Sequence, residues 1–421
     1  MAQKTMALNN KKNNVLFVSL AFPPKNCPES LQTARYFKYL TPHIGQIQVV
    51  TAKAPSLFMP VDSSLMKFYP DNNNVVNLWM PESKYLNFII RKTFPTLLEL
   101  PDNKRHFSFF TNRIINRIKI EPDVIYSRSF PLTSAFIAYN LKKRLKKPWI
   151  LHLSDPWTIS PIEKRTAKSQ NYNEKMESLF FSVADYITFT SEETIAQYKL
   201  KYPDLSSKFQ FFPNVYDPED IPAIDSEENK LTENIVFSYT GGLANTRTHA
   251  NLLEALSQLY KSEPTLFINV SFNFAGSFDR KNNNLFSVYK LPFVKNLGLI
   301  TYAESKNLMK ESNFLILIDT YFPDAKNAMF LPSKLLDYAL TGKEILSITN
   351  KNSTTFNFVE NKFGSCFEHN DIENIKKFIR KRIVGMRSNH YYNTFESDKN
   401  FLDNYSAPHN AKKLAYLINN L

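Results

Sequence analysis

Short apolar runs that suit strands alternate with longer runs that suit helices along the chain of 421 residues. Strands of a parallel sheet are buried on both faces, so they are apolar almost throughout, and helices connect them. The alternation occurs in two successive series, which begin at Val15–Leu20 and at Ile235–Tyr239. It predicts an α/β protein with two doubly wound, Rossmann-like domains. The predicted strands are Val15–Leu20, Ile47–Thr51, Val75–Trp79, Val124–Ser127, Trp149–Leu153, Tyr186–Thr190, Ile235–Tyr239, Phe267–Phe274, Val294–Leu297, Phe314–Ile318 and Ile345–Ile348.

A stretch rich in proline and acidic residues separates the two series. Pro213, Pro218 and Pro222 precede or enter a polar, acidic run over 225–234, a composition typical of a linker. We therefore expect a first Rossmann-like domain over 1–212 that is completed by a C-terminal helix over 405–421, a linker over 213–234, and a second Rossmann-like domain over 235–404. Two such domains would face a central cleft, and ligands of doubly wound sheets bind beyond the carboxyl ends of the strands.

The composition of the chain limits the cellular compartments and the kinds of binding partner that we expect for it. The chain contains no run of about 18 apolar residues that would span a membrane, and residues 1–14 lack the apolar core of a secretory signal. Cys27 and Cys366 form no CxxC pair, which fits a reducing, cytoplasmic compartment. The net charge of +13 leaves three kinds of partner open: nucleic acid, an anionic membrane surface, or phosphorylated substrates.

The strongest candidate for a ligand site is the segment Phe330–Leu346, FLPSKLLDYALTGKEIL. A helix N-terminus attracts anions, and here Ser333 adds a hydroxyl group and Lys334 a positive charge. Asp337 lies three residues beyond Lys334, on the same face of the predicted helix. A lysine for a diphosphate beside a carboxylate for ribose hydroxyls suits a nucleotide sugar. The alternative is an ordinary capped helix with a solvated Lys–Asp pair.

The pattern P-S-K-x-x-D-Y-x-x-x-G-K, followed by a strand, resembles the donor-binding segment of GT-B glycosyltransferases. The resemblance is closest to glycosyltransferase family 4 and related bacterial transferases that assemble polysaccharides. It implies that Asp337 holds the donor ribose. The family often has a glutamate eight positions earlier, where this chain has Met329, so the contact of that glutamate with the donor sugar is not carried over.

Two further segments resemble donor-binding elements of the same family. In Tyr239–Leu256, YTGGLANTRTHANLLEAL, Gly241 and Gly242 would let the backbone approach a ligand, and Arg247 would clamp the diphosphate. In Val294–Glu304, VKNLGLITYAE, the backbone around Gly298 would contact the nucleobase. The alternatives are a glycine turn with a surface arginine, and an ordinary loop.

The segment Phe212–Asp217, FPNVYD, resembles the interdomain P-N-G-x-D element of that family, with Val215 in place of the glycine. Its position between the two series suits a hinge rather than a catalytic element.

The first domain is expected to hold the acceptor and any catalytic base. After the first strand, AFPPKNCPESLQTAR lacks the paired glycines of the family, and Glu29, Ser30 and Arg35 are the candidates for acceptor contacts.

Two later strands of this domain also end in candidate residues. Arg128, in DVIYSRSFP, would hold an anionic group of the acceptor or the donor, although a surface arginine is the alternative. LHLSDPW resembles a D-P-W element of polysaccharide-building relatives, and Asp155 at the end of its strand is the candidate general base. His152 in the same strand ranks below it, because a lone histidine in an apolar strand is usually structural.

The segment Lys84–Lys119 is basic and aromatic. Phe107, Phe110, Ile114 and Ile118 recur at helical spacing, so part of it suits an amphipathic helix. Such a surface would rest on anionic lipid and present a lipid-linked acceptor. The alternative is a helix that packs on the core with a solvated basic face.

Together the segments favour a glycosyltransferase that moves a sugar from a nucleotide-diphosphate sugar to a glycan or lipid-linked acceptor. The resemblance implies a role in bacterial surface polysaccharide or glycolipid assembly, in the cytoplasm or at the inner face of its membrane. No cofactor or metal is expected, because Arg247 and Lys334 would neutralise the diphosphate and no DxD-type acidic pair occurs.

A non-catalytic GT-B-like protein that binds nucleotide or glycan is the main alternative. A nucleic-acid-binding protein has no supporting motif, and a dinucleotide-dependent enzyme lacks the GxGxxG fingerprint.

Overall fold

The computed structural model describes residues 11–56, 59–69, 74–79, 82–162, 165–220, 234–324, 328–388 and 399–421. These residues divide into two compact units. Unit 1 contains the described residues up to Asp217 together with Asn404–Leu421, and unit 2 contains those from Pro218 to Asp403. Most of the predicted linker, residues 221–233, lies outside the described residues.

Unit 1 is built on a seven-stranded, fully parallel sheet in the order β3-β2-β1-β4-β5-β6-β7. Its strands are β1 Val15–Val18, β2 Ile47–Ala52, β3 Val75–Leu78, β4 Val124–Ser129, β5 Trp149–Leu153, β6 Tyr186–Phe189 and β7 Phe209–Phe211. Its helices are α1 Pro28–Leu40, α2 Lys84–Thr93, α3 Thr111–Ile115, α4 Thr133–Leu145, α5 Ala167–Val183 and α6 Glu192–Lys201, and the C-terminal α14 Ala407–Asn419.

The core of unit 1 follows from the apolar strands. Every residue of β1, β4 and β5 is buried, because helices cover both faces of a parallel sheet. α14 packs against α1, and its Ala411, Leu414 and Ile418 join the same apolar cluster as Phe17 of β1. The C-terminal helix is thus part of unit 1, although the chain has passed through unit 2 before reaching it.

Unit 2 is built on a six-stranded parallel sheet in the order β10-β9-β8-β11-β12-β13. Its strands are β8 Ile235–Thr240, β9 Val270–Ala275, β10 Val294–Gly298, β11 Phe314–Ile318, β12 Glu344–Ile348 and β13 Gly364–Phe367. Its helices are α7 Ala250–Ser262, α8 Arg280–Tyr289, α9 Tyr302–Glu311, α10 Ser333–Leu340, α11 Thr354–Val359, α12 Ile372–Arg387 and α13 Lys399–Asp403. The α/β class and the two doubly wound sheets expected from the sequence are confirmed.

The structure differs from the sequence-based expectation in three respects. The strand expected over Phe267–Phe274 begins only at Val270, because Pro264–Phe267 form a 3-10 turn and Asn269 adopts a left-handed conformation with φ of 56°. The short edge strands β7 and β13 were not predicted, since three or four residues carry too little pattern.

The third difference concerns the segment Lys84–Lys119, in which Phe107, Phe110, Ile114 and Ile118 do not share one helix. This segment consists of α2, two 3-10 turns and α3, and the two turns include or follow Pro95 and Pro101. Proline removes a backbone donor and interrupts a helix. Among the described residues, no helix is both long enough and apolar enough to cross a membrane.

Each sheet has one switch point, which is the place between two adjacent strands from which the strand order runs outward in both directions. It lies between β1 and β4 in unit 1 and between β8 and β11 in unit 2. Doubly wound sheets bind ligands at the carboxyl ends of the strands beside the switch point. The polar residues of both places are therefore described in turn below.

Candidate functional site

Glycines line the carboxyl edge of the unit 2 sheet. Gly241 follows β8 with φ of 130°, and Gly276 follows β9 with φ of 144°. A Cβ atom on Gly276 would lie 1.9 Å from the carbonyl oxygen of Gly241, so only glycine fits there. The amide of Gly276 donates to the carbonyl of Gly298 at 2.7 Å. The backbone segments are therefore close-packed at this edge.

Lys334 reaches this edge from the first turn of α10. Its Nζ atom donates to the carbonyl oxygen of Thr240 at 2.8 Å and lies 3.8 Å from the centre of the Tyr239 ring. A Cβ atom on Gly241 would approach that Nζ atom to 2.8 Å. The glycine thus leaves the space that the ammonium group occupies.

Arg247 lies on the β11 side of the same switch point. Its Nη2 atom donates to the hydroxyl group of Thr320 at 3.1 Å and lies 3.9 Å from a carboxylate oxygen of Asp319. Asp319, which follows β11, accepts a 2.6 Å hydrogen bond from Thr355. The Nε atom of Arg247 is buried and has no hydrogen-bond partner among the described residues. This guanidinium group retains a donor for a ligand.

The electrostatics of the pair indicate an anion site. Burial lowers the pKa of Lys334 well below its usual value, the positive charge of Arg247 lowers it further, and Asp319 opposes the shift. In the part of the chain that the structure describes, Lys334 has no carboxylate within salt-bridge distance. Two coupled cations with one shared acid would be stabilised by a bound polyanion.

The helix that carries Lys334 is not an ordinary capped helix. Its N-cap position is Pro332, which provides no side-chain cap, and the half-buried Ser333 opens the first turn. Tyr338, one helical turn further on, accepts from the amide of Thr240 at 2.9 Å and so fixes α10 against the end of β8. The N-terminus of α10, with its partial positive charge, therefore stands beside the Lys334 ammonium group.

Asp337 does not form a solvated pair with Lys334, which was the alternative considered from the sequence. It is buried, and its carboxylate contacts the Nζ atom of Lys306 in α9 at 3.0 Å. Lys306 also lies 3.7 Å from Asp220, to which the hydroxyl group of Tyr302 donates. Met329, at the position of the family glutamate, is buried as well.

The loop after β10 was predicted to contact a nucleobase. Gly298 has φ of 65°, and nothing lies within 4 Å of the position that a Cβ atom would take. Leu299 next to it is exposed, and Thr301 and Glu304 form a capping box that starts α9. Gly242, also predicted, is exposed, and its carbonyl accepts from the Tyr239 hydroxyl group at 2.8 Å.

At the switch point of unit 1, an ion pair replaces the pair of cations. The Nε atom of Arg128, at the end of β4, donates to Glu29 in α1 at 2.9 Å, and Arg128 is fully buried. Burial raises the pKa of Glu29, and Arg128 opposes that shift. Arg128 is therefore not a surface arginine. The carboxylate of Glu29 balances its charge, although its buried Nη2 atom has no hydrogen-bond partner among the described residues.

Ser154 and Asp155 follow β5 at the same edge. Ser154 donates its hydroxyl group to Glu29, its amide donates to Ser129 at 2.9 Å, and its carbonyl accepts from Thr190 at 2.8 Å. Asp155, the next residue, is exposed. A carboxylate next to a firmly held residue suits the role of a positioned base.

His152 is buried inside the sheet. Its Nδ1 atom pairs with the hydroxyl group of Thr188 at 2.8 Å, and burial, with Arg128 beside it, lowers its pKa well below the usual value. A neutral, buried imidazole at this place stabilises the sheet, and the structure does not support the catalytic role first assigned to it.

Of the three predicted acceptor contacts, two are inaccessible. Ser30 and Arg35 are fully buried, and Arg35 donates to the carbonyl of Val215 at 2.7 Å. Arg35 therefore connects α1 to the segment around Val215, where the chain leaves unit 1 for unit 2. The Glu29 side chain retains slight exposure, but it is held by Arg128, Ser154 and Thr33.

The sequence analysis missed several residues of the unit 2 site. Asp319 follows the predicted strand Phe314–Ile318 directly, and Gly276 follows Phe267–Phe274 after one residue, as Gly241 follows Ile235–Tyr239. The rule that directed attention to Gly241 would therefore have found both. Lys306 gave no local signal, because its partner Asp337 is 31 residues away. The residues missed are Tyr239, Gly276, Lys306, Asp319, Thr320 and Tyr338.

No protein-family model matches the sequence, and no curated protein sequence matches it. Solved structures do match. Sucrose-phosphate synthase from Thermosynechococcus elongatus is 11% identical with a TM-score of 0.66, and the match covers 96% of this chain and 98% of that chain. WaaG, a glycosyltransferase involved in lipopolysaccharide biosynthesis, is 13% identical with a TM-score of 0.61, covering 96% and 99%.

The UDP-GlcNAc 2-epimerase from Methanocaldococcus jannaschii is also similar, with 10% identity, a TM-score of 0.54, and coverage of 97% and 99%. The matches extend over nearly the whole length of each chain. Together with the two parallel sheets, they give this chain the GT-B fold. At this low identity the likeness concerns the fold, and function must be argued from the site.

Proposed function

We propose that the chain is a glycosyltransferase that transfers a sugar from a nucleotide-diphosphate sugar to a glycan or lipid-linked acceptor. The observation that carries the proposal is the pair of cations, Arg247 and Lys334, beside a glycine-lined backbone at the switch point of unit 2. A diphosphate is the ligand whose charge and size suit that arrangement.

The same pair would act on the reaction itself. When the sugar–phosphate bond breaks, negative charge builds on the departing nucleoside diphosphate, and donors already in place stabilise that charge most effectively. Arg247 would hold two phosphate oxygens at once, and Lys334 would supply a compact charge from the N-terminus of α10. We propose that these groups make a metal ion unnecessary, so that activity persists in excess EDTA.

The ribose and the base would lie further along the edge of the same sheet. Asp337 is the proposed partner of the ribose hydroxyls. In the structure its carboxylate contacts Lys306. The backbone around Gly298 and the exposed Leu299 offer polar and apolar contacts for a base. Ser333 and Gly242 complete the proposed donor contacts.

Asp155 is the proposed base or orienting group for the acceptor hydroxyl, with Glu29 and Arg128 as positioning residues behind it. The fold relatives named above act in sugar phosphate and lipopolysaccharide synthesis. WaaG supports the proposed role in the assembly of surface glycans or glycolipids, for which we propose a location at the cytoplasmic side of a membrane.

The experiment is a thermal-shift panel with UDP, GDP, ADP and CMP on the wild type and Lys334→Ala. A ligand that binds only the folded protein raises the melting temperature according to its concentration over its dissociation constant. We expect one nucleoside diphosphate to stabilise the wild type and not the variant. The matching nucleotide sugars are then incubated with membrane and glycan extracts, with release of nucleoside diphosphate as the readout.

Two results would redirect the proposal. Conversion of the sugar without an acceptor would indicate an epimerase, which the same fold also supports. Binding without turnover of any nucleotide sugar would indicate a non-catalytic binding protein. No shift with any nucleotide would contradict the donor site altogether.

A further inference from the structure

Helix α2 of unit 1 has no buried residue. Six large apolar side chains in α2 and the turn after it are between 53% and 84% exposed, far more than is usual for such residues in one short stretch. They are Tyr85, Leu86, Phe88, Ile89, Phe94 and Leu97. Together with the exposed Lys84, Arg91 and Lys92 they are called the α2 surface below.

In the segment 82–119, the acidic side chains have partners within unit 1, whereas the basic side chains of the α2 surface are exposed. Residues 82–119 contain eight basic and three acidic residues, and all three acids have partners within unit 1 outside the α2 surface. Glu82 pairs with Lys104, Glu99 accepts from Thr166, and Asp102 accepts from Thr133. The three basic residues of the α2 surface are exposed to solvent.

We propose that the α2 surface docks on an anionic lipid bilayer. An exposed helix that combines aromatic and aliphatic side chains with lysine and arginine has the chemistry of a helix lying in the membrane interface. The aromatic and aliphatic groups enter the boundary between headgroups and acyl chains, and the cations contact lipid phosphates. Lys92 illustrates the combination, since its Nζ atom lies 5.4 Å from the centre of the Phe88 ring.

Helix α12 of unit 2 provides an internal comparison. It is equally basic, but its Ile375, Phe378 and Ile379 are buried in the core, and Arg382 pairs with Glu344. Basic charge alone is therefore found elsewhere on the chain. What sets α2 apart is that its apolar side chains have no covering partner within the described part of the chain.

This inference deepens the proposed function by naming the surface on which a lipid-linked acceptor would be met, but it is tested without any acceptor. The full chain is sedimented with vesicles of phosphatidylcholine alone and with vesicles containing one third phosphatidylglycerol. Three double variants are compared with the wild type: Phe88→Ser with Ile89→Ser, Arg91→Ser with Lys92→Ser, and Lys377→Ser with Lys381→Ser. The last pair is exposed on α12 and removes the same charge.

We expect the wild type to bind the anionic vesicles and to bind phosphatidylcholine much more weakly. Loss of the two apolar side chains should weaken the partition coefficient roughly tenfold or more. Loss of Arg91 and Lys92 should weaken it by roughly 25-fold at low salt, about fivefold for each residue. The α12 variant should change it less than about twofold, because Lys377 and Lys381 lie outside the contact.

Equal losses in the α12 and α2 charge variants would show that net charge alone drives binding, and would overturn the inference. So would absence of binding to anionic vesicles, or an oligomer in solution that the Phe88→Ser, Ile89→Ser variant dissolves, since a second copy would then cover α2. The nucleoside diphosphate shift is measured on the same samples. If it is retained while vesicle binding fails, only the membrane inference is lost. If vesicle binding is retained while the shift fails, only the transferase proposal is lost.

Discussion

The two switch points use charge in opposite ways. In unit 1, Arg128 is fully buried and is neutralised by Glu29 at 2.9 Å. In unit 2, Arg247 and Lys334 share one acid, Asp319, which is 3.9 Å from Arg247. The same topology thus gives a one-to-one ion pair in unit 1 and two cations with a single nearby acid in unit 2. In unit 1 a carboxylate of the protein neutralises the arginine. In unit 2 the two cations have only one nearby acid, so an anionic ligand would balance their remaining charge.

The largest expected difference comes from making the same substitution in both places. Arg128→Met leaves Glu29 buried without its partner, which should lower the free energy of unfolding by about 3–5 kcal/mol. Lys334→Met removes a cation that its surroundings disfavour, so stability without ligand should stay within about 1 kcal/mol of the wild type or rise. Urea unfolding followed by circular dichroism measures both.

A double variant controls the unit 1 result. Glu29→Gln with Arg128→Met removes both charges, so it should lose less stability than Arg128→Met alone. The comparison between the units would fail if Lys334→Met were as destabilising as Arg128→Met.

The adjacent glycines of unit 2 provide the next test. Gly241→Ala should cost about 1–3 kcal/mol because of its φ of 130°, and its Cβ atom should displace the Lys334 ammonium group and weaken diphosphate binding. Gly242→Ala is the matched control for the effect on stability, since its Cβ atom would meet nothing closer than 3.5 Å within the protein. Melting temperature and nucleotide titration report the two effects. Identical behaviour of the two variants would refute the assigned geometry.

The smallest expected effect concerns pH. Because burial and Arg247 lower the pKa of Lys334, the unfolded chain holds a proton that the folded protein lacks, over the range between that pKa and the ordinary lysine value. Stability must therefore rise with pH in this window. The stability of the wild type relative to Lys334→Met should therefore rise as the pH approaches the ordinary lysine value, by well under the limit of about 1.4 kcal/mol per pH unit. Urea midpoints of both proteins at several pH values test this, and parallel profiles would contradict it.

Much of the fold could be predicted because parallel strands that are buried on both faces consist of consecutive apolar residues. Trp149–Leu153 and Phe314–Ile318 have the predicted bounds, whereas the short strand Phe209–Phe211 carried too little pattern. Lys334 and Arg247 were identified from local motifs, and the structure brings both to the same switch point.

What the sequence could not provide is the pairing of distant residues. Glu29 and Arg128 were both selected, but nothing local indicates that they neutralise each other across 99 positions. Likewise, Asp337 reads as an open carboxylate until Lys306 is placed beside it. The exposure of α2 is of the same kind, because an amphipathic sequence does not say whether its apolar face is covered.

If unit 2 has a diphosphate site at its switch point, the protein should bind a nucleoside diphosphate more tightly than the corresponding monophosphate. Calorimetric titration would compare the nucleoside diphosphate selected by the panel with its monophosphate, on the wild type and on Lys334→Met. We expect the wild type to prefer the diphosphate by roughly tenfold or more and the variant to lose most of this preference. Equal affinity for the two nucleotides, or a preference that survives the loss of Lys334, would contradict the proposed diphosphate site.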